Sequence, residues 1–286
     1  MAKKVTLGTL QKMKKAGEPI SMLTAYDYPT ALLVDQAGVE MILVGDSMGM
    51  VVHGFPNTLS VTLDMMIMHC QAVMRGVESA FVVGDMPFMT FQVSPEEALR
   101  NAGRLMVEGG VDAVKLEGGR RMAETIQRIV EAGIAVQAHI GLTPQSVSAL
   151  GGFRTQGKTL EAAQQVIDDA RAVQDAGAFS VVLEAIPAQL AGLITGMLDI
   201  PTIGIGAGVD CDGQVLVMHD MSGLLEKYAP SFVKRFADTA GVLRDAFSEY
   251  RTEVRGRSFP GTEHVTRLPE DVWRAIEDEF GSGADT

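Results

Sequence analysis

The 286-residue sequence predicts an α/β fold: a single (β/α)8 TIM barrel with an N-terminal capping helix and a C-terminal helical tail. Three observations predict it. Short apolar runs rich in Val and Ile recur along the chain, and each ends in a polar or Gly-containing turn. Continuous apolar runs suit parallel strands buried on both faces. Amphipathic segments separate the runs, which implies βαβ units. Eight such units in one closed domain need about 250 residues, which the chain supplies.

The runs lie at 21–25, 41–45, 80–84, 112–116, 135–138, 180–183, 202–205 and 215–218. Helix signals fall between them. Ser94-Pro95-Glu96-Glu97 reads as an N-cap, a Pro at the first helical position and a capping-box Glu. Ala98, Leu99, Ala102, Leu105 and Met106 then follow at helical spacing, and Gly109-Gly110 stops the helix. The segment 160–176 behaves similarly and ends at Gly177. The segment 10–15 precedes the first strand and is expected to cap the barrel floor. The barrel is expected to occupy 1–256. The tail, 257–286, is less regular, with one short helix in 268–280 and a disordered GSGADT end.

Composition excludes several function classes. The formal net charge is −12, which lacks the basic footprint of nucleic-acid binding. The short basic clusters Lys3-Lys4, Lys14-Lys15 and Arg120-Arg121 read as solvated helix faces. No apolar run is long enough to span a membrane, and the N-terminus has no signal-peptide core. The two cysteines, Cys70 and Cys211, show no metal-ligand spacing and fit a reducing compartment. A cytoplasmic enzyme is expected. Nine of the 17 methionines lie between Met41 and Met89 and read as core filler or a subunit interface.

In this fold the carboxyl ends of the strands form the active-site face. Asp46 and Ser47 follow the second run, Asp85 the third, Glu117 the fourth, His139 the fifth and Glu184 the sixth, with Lys115 inside the fourth. Carboxylates gathered in a partly buried mouth repel one another and raise each other's pKa. A divalent cation would offset that, and an all-oxygen donor set favours Mg2+ or Mn2+ over Zn2+. A metal here could chelate and polarise a 2-oxo acid. Lys115 could balance the substrate carboxylate or pair with a neighbouring acid, and Ser47 could hydrogen-bond to it. Glu184 is the free candidate for a general base, and His139 either lines the site or is structural. The GIGAG loop at 204–208 is an anion cradle or a tight turn. His53, His69, His219 and His264 receive no role.

These residues resemble a known family, ketopantoate hydroxymethyltransferase, over about residues 5–265. The resemblance rests on LTAYDYPTA (23–31), ILVGDSMGMVVHG (42–54), GDMPFM (84–89), NAGRLMVEGGVDAVKLEGG (101–119), HIGLTPQS (139–146), GGF with QG nearby (151–157), LEAIP (183–187), IGIGAG with CDGQVLVMHD (203–220) and FPGTEH (259–264). It implies one Mg2+ per subunit, with Asp46 and Asp85 as direct ligands and Glu117 reaching the metal site. Ser47, Asp85 and Lys115 match its ketoacid contacts, with Asp46 and His139 also lining the substrate site. Glu184 matches its proton acceptor. The implied reaction moves a hydroxymethyl group from 5,10-methylenetetrahydrofolate to 3-methyl-2-oxobutanoate and forms 2-dehydropantoate. A homo-oligomer, often a decamer, is implied too.

Gly84, Ala138 and Met48 depart from the family's usual Ala, Gly and Leu, changes that bear on pocket fit. The alternatives are a Mg2+-dependent 2-oxo-acid lyase or mutase of the phosphoenolpyruvate mutase/isocitrate lyase type, expected to carry a catalytic cysteine, and a non-catalytic oligomeric barrel.

Overall fold

A computed structural model describes residues 3–147, 151–152, 154–226 and 230–281. The expected disorder of the last residues, 282–286, lies outside the described residues. Contacts divide the chain into two compact units, Met1–Ala237 and Asp238–Thr286.

The first unit is a closed barrel of eight parallel strands in sequence order, as the apolar runs predict. The strands are β1 (Ile20–Thr24), β2 (Met41–Val44), β3 (Phe81–Asp85), β4 (Ala113–Glu117), β5 (Val136–Gly141), β6 (Ser180–Glu184), β7 (Thr202–Ile205) and β8 (Gly213–Leu216). β8 closes the ring on β1, with Met22 opposite both Val215 and, across the other edge, Met41.

Successive strand residues face opposite sides. Met22, Met41, Leu43, Phe81, Val83 and Val215 belong to one core inside the barrel. Ile42, Val44, Val82, Val114, Leu183 and their neighbours build a second, larger core with the helices outside. Those helices are α2 (Tyr28–Gln36), α3 (Met48–Val51), α4 (Leu63–Met74), α5 (Pro95–Arg104), α6 (Ala123–Glu131), α7 (Leu160–Asp175), α8 (Ala188–Met197) and α9 (Met218–Met221). Helix α5 starts as its sequence dictates. Ser94 accepts a hydrogen bond from Glu97 N–H, Pro95 sits in the first turn, and the run passes through a π-helical turn to Gly110 in the left-handed region.

The capping helix α1 (Leu7–Ala16) is longer than the expected 10–15 and drops Leu10 into the interior core. Lys14 is largely withdrawn from solvent, contrary to the sequence expectation, while Lys4 stays partly exposed, and both are ion-paired. Their stems run along the barrel floor to Asp112 (2.8 Å) and Asp212 (2.7 Å).

Three boundaries differ from expectation. β8 starts at Gly213 rather than at 215, and Val217 and Met218 already turn into α9. The apolar pattern cannot see Gly213, which belongs to the strand because it pairs with Ile20 of β1 and Ile203 of β7, and which is glycine because a Cβ there would strike the Ile20 carbonyl. The β7–β8 connection, 206–212, carries no helix. It returns to the floor, where Asp212 accepts from Thr202 N–H at 2.8 Å. The helix α10 (Thr239–Gly256) falls in the second unit rather than in the barrel and buries none of its residues. That unit also holds the short tail helix, α11 (Glu270–Phe280).

Candidate functional site

Inward parity carries four of the predicted residues into the barrel's carboxyl end. Asp85 follows Phe81 and Val83 on the inner face of β3, Lys115 and Glu117 follow Ala113 on β4, and Glu184 follows Val182 on β6. His139 on β5 stands opposite Glu117 in register. Asp46 and Ser47 arrive differently, from the turn between β2 and α3, where Met48 N–H donates to Gly45 O. The structure thus brings the predicted acids, Lys115 and His139 together at one end of the barrel.

The contacts form a chain. Lys115 Nζ lies 2.9 Å from Asp85 Oδ1 and 3.4 Å from His139 Nδ1. His139 Nε2 lies 3.0 Å from Glu184 Oε2, and its Nδ1 lies 3.6 Å from Glu117 Oε1. Asp46 N–H donates to Asp85 Oδ2 at 3.2 Å. Ser47 Oγ shares a hydrogen bond of 2.9 Å with the buried Tyr26 hydroxyl. The Glu184 side chain is 15% exposed against 2% for Asp85, so Glu184 is the acid nearest an open face.

Electrostatics follow from that crowding. Burial pushes Asp46 up to about 7, aided by the negative charge of Asp85. Burial also pushes Glu117 well above the usual carboxylate range, and Asp46, Asp85 and Glu184 add to this. Burial pulls the Lys115 pKa down, but Asp85, Glu117 and Asp46 more than offset it, so Lys115 stays a cation. Asp85 Oδ1 and His139 Nε2 are buried without an aligned hydrogen bond, despite their close ion-pair contacts.

The strand ends are shaped to hold these groups. Ala185, next to Glu184, has φ 47°, an unusual conformation for a residue with a Cβ and one that recurs at functional positions. Gly141 has φ 90° and packs where a Cβ would strike the Glu184 carbonyl oxygen, so only glycine lets β5 end against the backbone of Glu184.

Sequence reasoning missed two residues. Gln145 is buried, and its amide nitrogen donates to Asp46 Oδ2 (2.9 Å) and Met86 O (3.0 Å), while its backbone N–H donates to Glu117 Oε2 (3.0 Å). A search for titratable groups passes over an amide, although Gln145 lies only six residues past His139 in the loop after β5. Tyr26 is the first polar side chain past β1, and its aromatic ring hides its hydrogen-bonding role. His69 Nδ1 in turn lies 2.6 Å from Tyr26 O, a supporting contact for a histidine that was given no role.

The three departures lie on the helix side of the strands, outside the barrel interior. Gly84 and Ala138 have outward parity. A Cβ at Gly84 would press on Cys70 Sγ at 3.2 Å and on Val111, so the missing methyl makes room for the buried thiol. Ala138 and Met48 lie in the core between sheet and helices. Cys70 therefore packs outside β3, and Cys211 packs against Gly204. Neither cysteine is among the groups in contact at the barrel mouth. In the GIGAG loop Gly206 and Gly208 have positive φ, and a Cβ on either would strike Phe232 or Ala188. Among the described residues no helix is long and apolar enough to cross a membrane.

Comparison with known proteins places this geometry. The chain resembles solved structures of phosphonopyruvate hydrolase in complex with oxalate and Mg++ (TM-score 0.60, 13% identity, 96% of this chain and 98% of that one). It also resembles 2,3-dimethylmalate lyase (TM-score 0.55, 16% identity, 96% of each chain). At such identities the likeness shows the fold alone. Sequence likeness is much higher to the 3-methyl-2-oxobutanoate hydroxymethyltransferase of Syntrophotalea carbinolica, 59% identical over 92% of this chain and 99% of that protein. The enzyme of the same name from Heliobacterium modesticaldum is 55% identical over 95% of this chain and 99% of that one. The sequence profile of ketopantoate hydroxymethyltransferase matches residues 4–262. With its barrel mouth of acids, lysine and histidine, the chain belongs to the ketopantoate hydroxymethyltransferase family.

Proposed function

We propose that this protein transfers a hydroxymethyl group from 5,10-methylenetetrahydrofolate to 3-methyl-2-oxobutanoate, forming 2-dehydropantoate on the route to pantothenate. Family membership at 59% identity supports the reaction. The observation that carries it at the level of residues is the buried excess of carboxylates around one lysine, with His139 set against the most exposed acid.

The donor chemistry fits a hard divalent cation, Mg2+ in the first place. Asp85 Oδ1 is buried without an aligned hydrogen bond, and Asp46 and Glu117 sit in surplus negative charge. Among the described residues no three His, Cys, Asp or Glu side chains have the spacing of a closed metal cage. Mg2+ commonly takes one or two carboxylates and keeps waters or substrate oxygens, so a full cage is not required. Asp46 and Asp85 would be its direct ligands, with Glu117 reaching it through water. When bound, the ion would supply charge neutralisation and polarise the 2-oxo group.

The chain's own groups do the rest. Lys115, held by Asp85, neutralises the keto-acid carboxylate, and Ser47, oriented by Tyr26, hydrogen-bonds to it. Glu184 accepts the C3 proton at Oε1, since Oε2 faces His139 at 3.0 Å. The carbon left with the electron pair attacks the methylene carbon of the folate and breaks one of its two C–N bonds, that nitrogen taking up the proton held by Glu184. A water then replaces the second nitrogen, its oxygen becoming the new hydroxyl and its proton passing to the departing tetrahydrofolate. His139 fixes the base against the site.

Both cysteines are free, in keeping with a reducing cytoplasm. A homo-oligomer, with a decamer as the family pattern, is supported by Met50, Met68 and Met89, which stand 38%, 57% and 51% exposed around the barrel, while Met41, Met48, Met66 and Met86 fill its cores.

The test uses 3-methyl-2-oxobutanoate in deuterated buffer with Mg2+. Loss of the C3 proton signal by NMR should require both Mg2+ and Glu184, and addition of the folate should yield 2-dehydropantoate. Wild-type protein that exchanges nothing, even with folate bound, would overturn the substrate assignment.

A further inference from the structure

Three of the four acids of the mouth, Asp46, Asp85 and Glu117, are held by one pattern. Each has one oxygen tied back by the protein. Asp85 Oδ2 accepts from Asp46 N–H at 3.2 Å, Glu117 Oε2 from Gln145 N–H at 3.0 Å, and Asp46 Oδ2 from Gln145 Nε2 at 2.9 Å. One residue on the loop after β5 thus supplies two of the three tethers, to acids that follow β2 and end β4. The second Nε2 proton goes to Met86 O at 3.0 Å, and Gln92 Nε2 lies 3.3 Å from Gln145 Oε1. The amide is committed on both sides, so it cannot rotate without breaking contacts to the loops after β2 and β3.

We propose that Gln145 is the positioning residue that presents Asp46 and Glu117 to a divalent cation by one oxygen each, with Gln92 holding Gln145 in place. This rests on the cation reading given above.

The chemistry selects an amide here. A neutral NH2 group donates two hydrogen bonds in one plane and adds no charge. A glutamate at this position would have no N–H and would add another anion to a mouth already over-supplied with them. A lysine would bring a positive charge that competes with the ion. Tying back Asp46 Oδ2 also keeps Asp46 from chelating with both oxygens. That suits a small octahedral ion, which keeps positions for water and substrate. Outer-shell partners of this kind orient the ligands and contribute strongly to affinity.

The experiment is Mn2+ binding to the full-length protein, read from the electron paramagnetic resonance signal of free Mn2+. The variants are Gln145→Met, which keeps the side-chain length without the donors, and Gln92→Met. Thermal unfolding and circular dichroism serve as fold controls. In Gln145→Met the Kd for Mn2+ should rise roughly ten- to hundredfold, with a smaller rise in Gln92→Met. Saturating Mn2+ should restore most of kcat in Gln145→Met, because the residue acts through the ligands and not on the substrate. Mn2+ binding by Gln145→Met within about twofold of wild type would overturn the proposal, measured against the tenfold floor for outer-shell partners. So would a kcat loss that saturating Mn2+ does not recover. If Gln145→Met does not fold, an unchanged Kd in Gln92→Met would overturn it equally. Wild-type protein that binds no Mn2+ would remove the cation reading itself and this proposal with it. Failure confined to the variants would leave the cation reading standing.

Discussion

The two ends of the barrel are made by the same eight strands, yet they treat charge in opposite ways. At the amino end Leu10 plugs the interior and each ion pair is balanced one to one, Lys4 with Asp112 and Lys14 with Asp212. At the carboxyl end Asp46, Asp85, Glu117 and Glu184 face one lysine and one histidine, and Asp85 Oδ1 and His139 Nε2 are among the buried atoms that lack aligned hydrogen bonds. The floor therefore contributes stability, and the mouth gives some of it up to hold unbalanced charge. This division between the ends is the general habit of the fold, and here it can be read from individual pairs.

The comparison can be broken by substitutions at either end. The largest effect belongs to the mouth. Glu184→Gln should lower the rate of C3 proton exchange by about 10²–10⁴-fold, the usual contribution of a general base, with little change in melting temperature. A melting temperature that falls with the rate would make Glu184 structural instead.

Lys115→Met removes the cation that the buried acids share. Breaking a buried pair from one side costs about 3–5 kcal/mol. Thermal unfolding without metal should show this loss, and added Mg2+ should return part of it. A variant as stable as wild type in EDTA would show that the acids do not need the lysine's charge.

At the floor, Leu10→Ala should cost about 2–5 kcal/mol in denaturant unfolding by opening a cavity in the interior core. Its kcat should stay near wild type. Lost activity at equal loading of folded protein would mean that the two ends are coupled.

The smallest effect expected from a substitution is that of Lys14→Met, about 1.5–3 kcal/mol for a hydrogen bond to a charged group. The pair merits a figure because its side chains are only 12% and 13% exposed. A loss within the error of denaturant unfolding would place Lys14 among the solvated cations after all.

The pH dependence sharpens the same contrast. Asp46 holds its proton more tightly in the folded chain, up to about 7, than in the unfolded chain, where 3.8 applies. The folded state then binds more protons across that window, so metal-free protein should lose stability as pH rises from about 4 to about 7. Mg2+ should flatten the slope. An equal slope with and without Mg2+ would mean that the titrating group lies elsewhere.

The sequence by itself determined the barrel. Eight apolar runs separated by amphipathic segments leave few other ways to bury both faces of the strands, and the structure closes them in order. It also determined which titratable groups line the mouth, because a polar residue just past a parallel strand is aimed at the carboxyl face. Local chemistry set the start of α5, where Ser94 and Pro95 act through contacts only a few residues away. Tertiary structure decided the rest. β8 begins at Gly213 because it pairs there with Ile20 of β1 and Ile203 of β7, not because of hydrophobicity. The stems of Lys4 and Lys14 found acids 108 and 198 residues away, a distance over which charge patterning says nothing. Gln145 reaches Asp46 across 99 residues. An amide has no charge and no periodicity to betray it, so its role appears only when closure of the ring brings the loops after β2, β3 and β5 around one buried point.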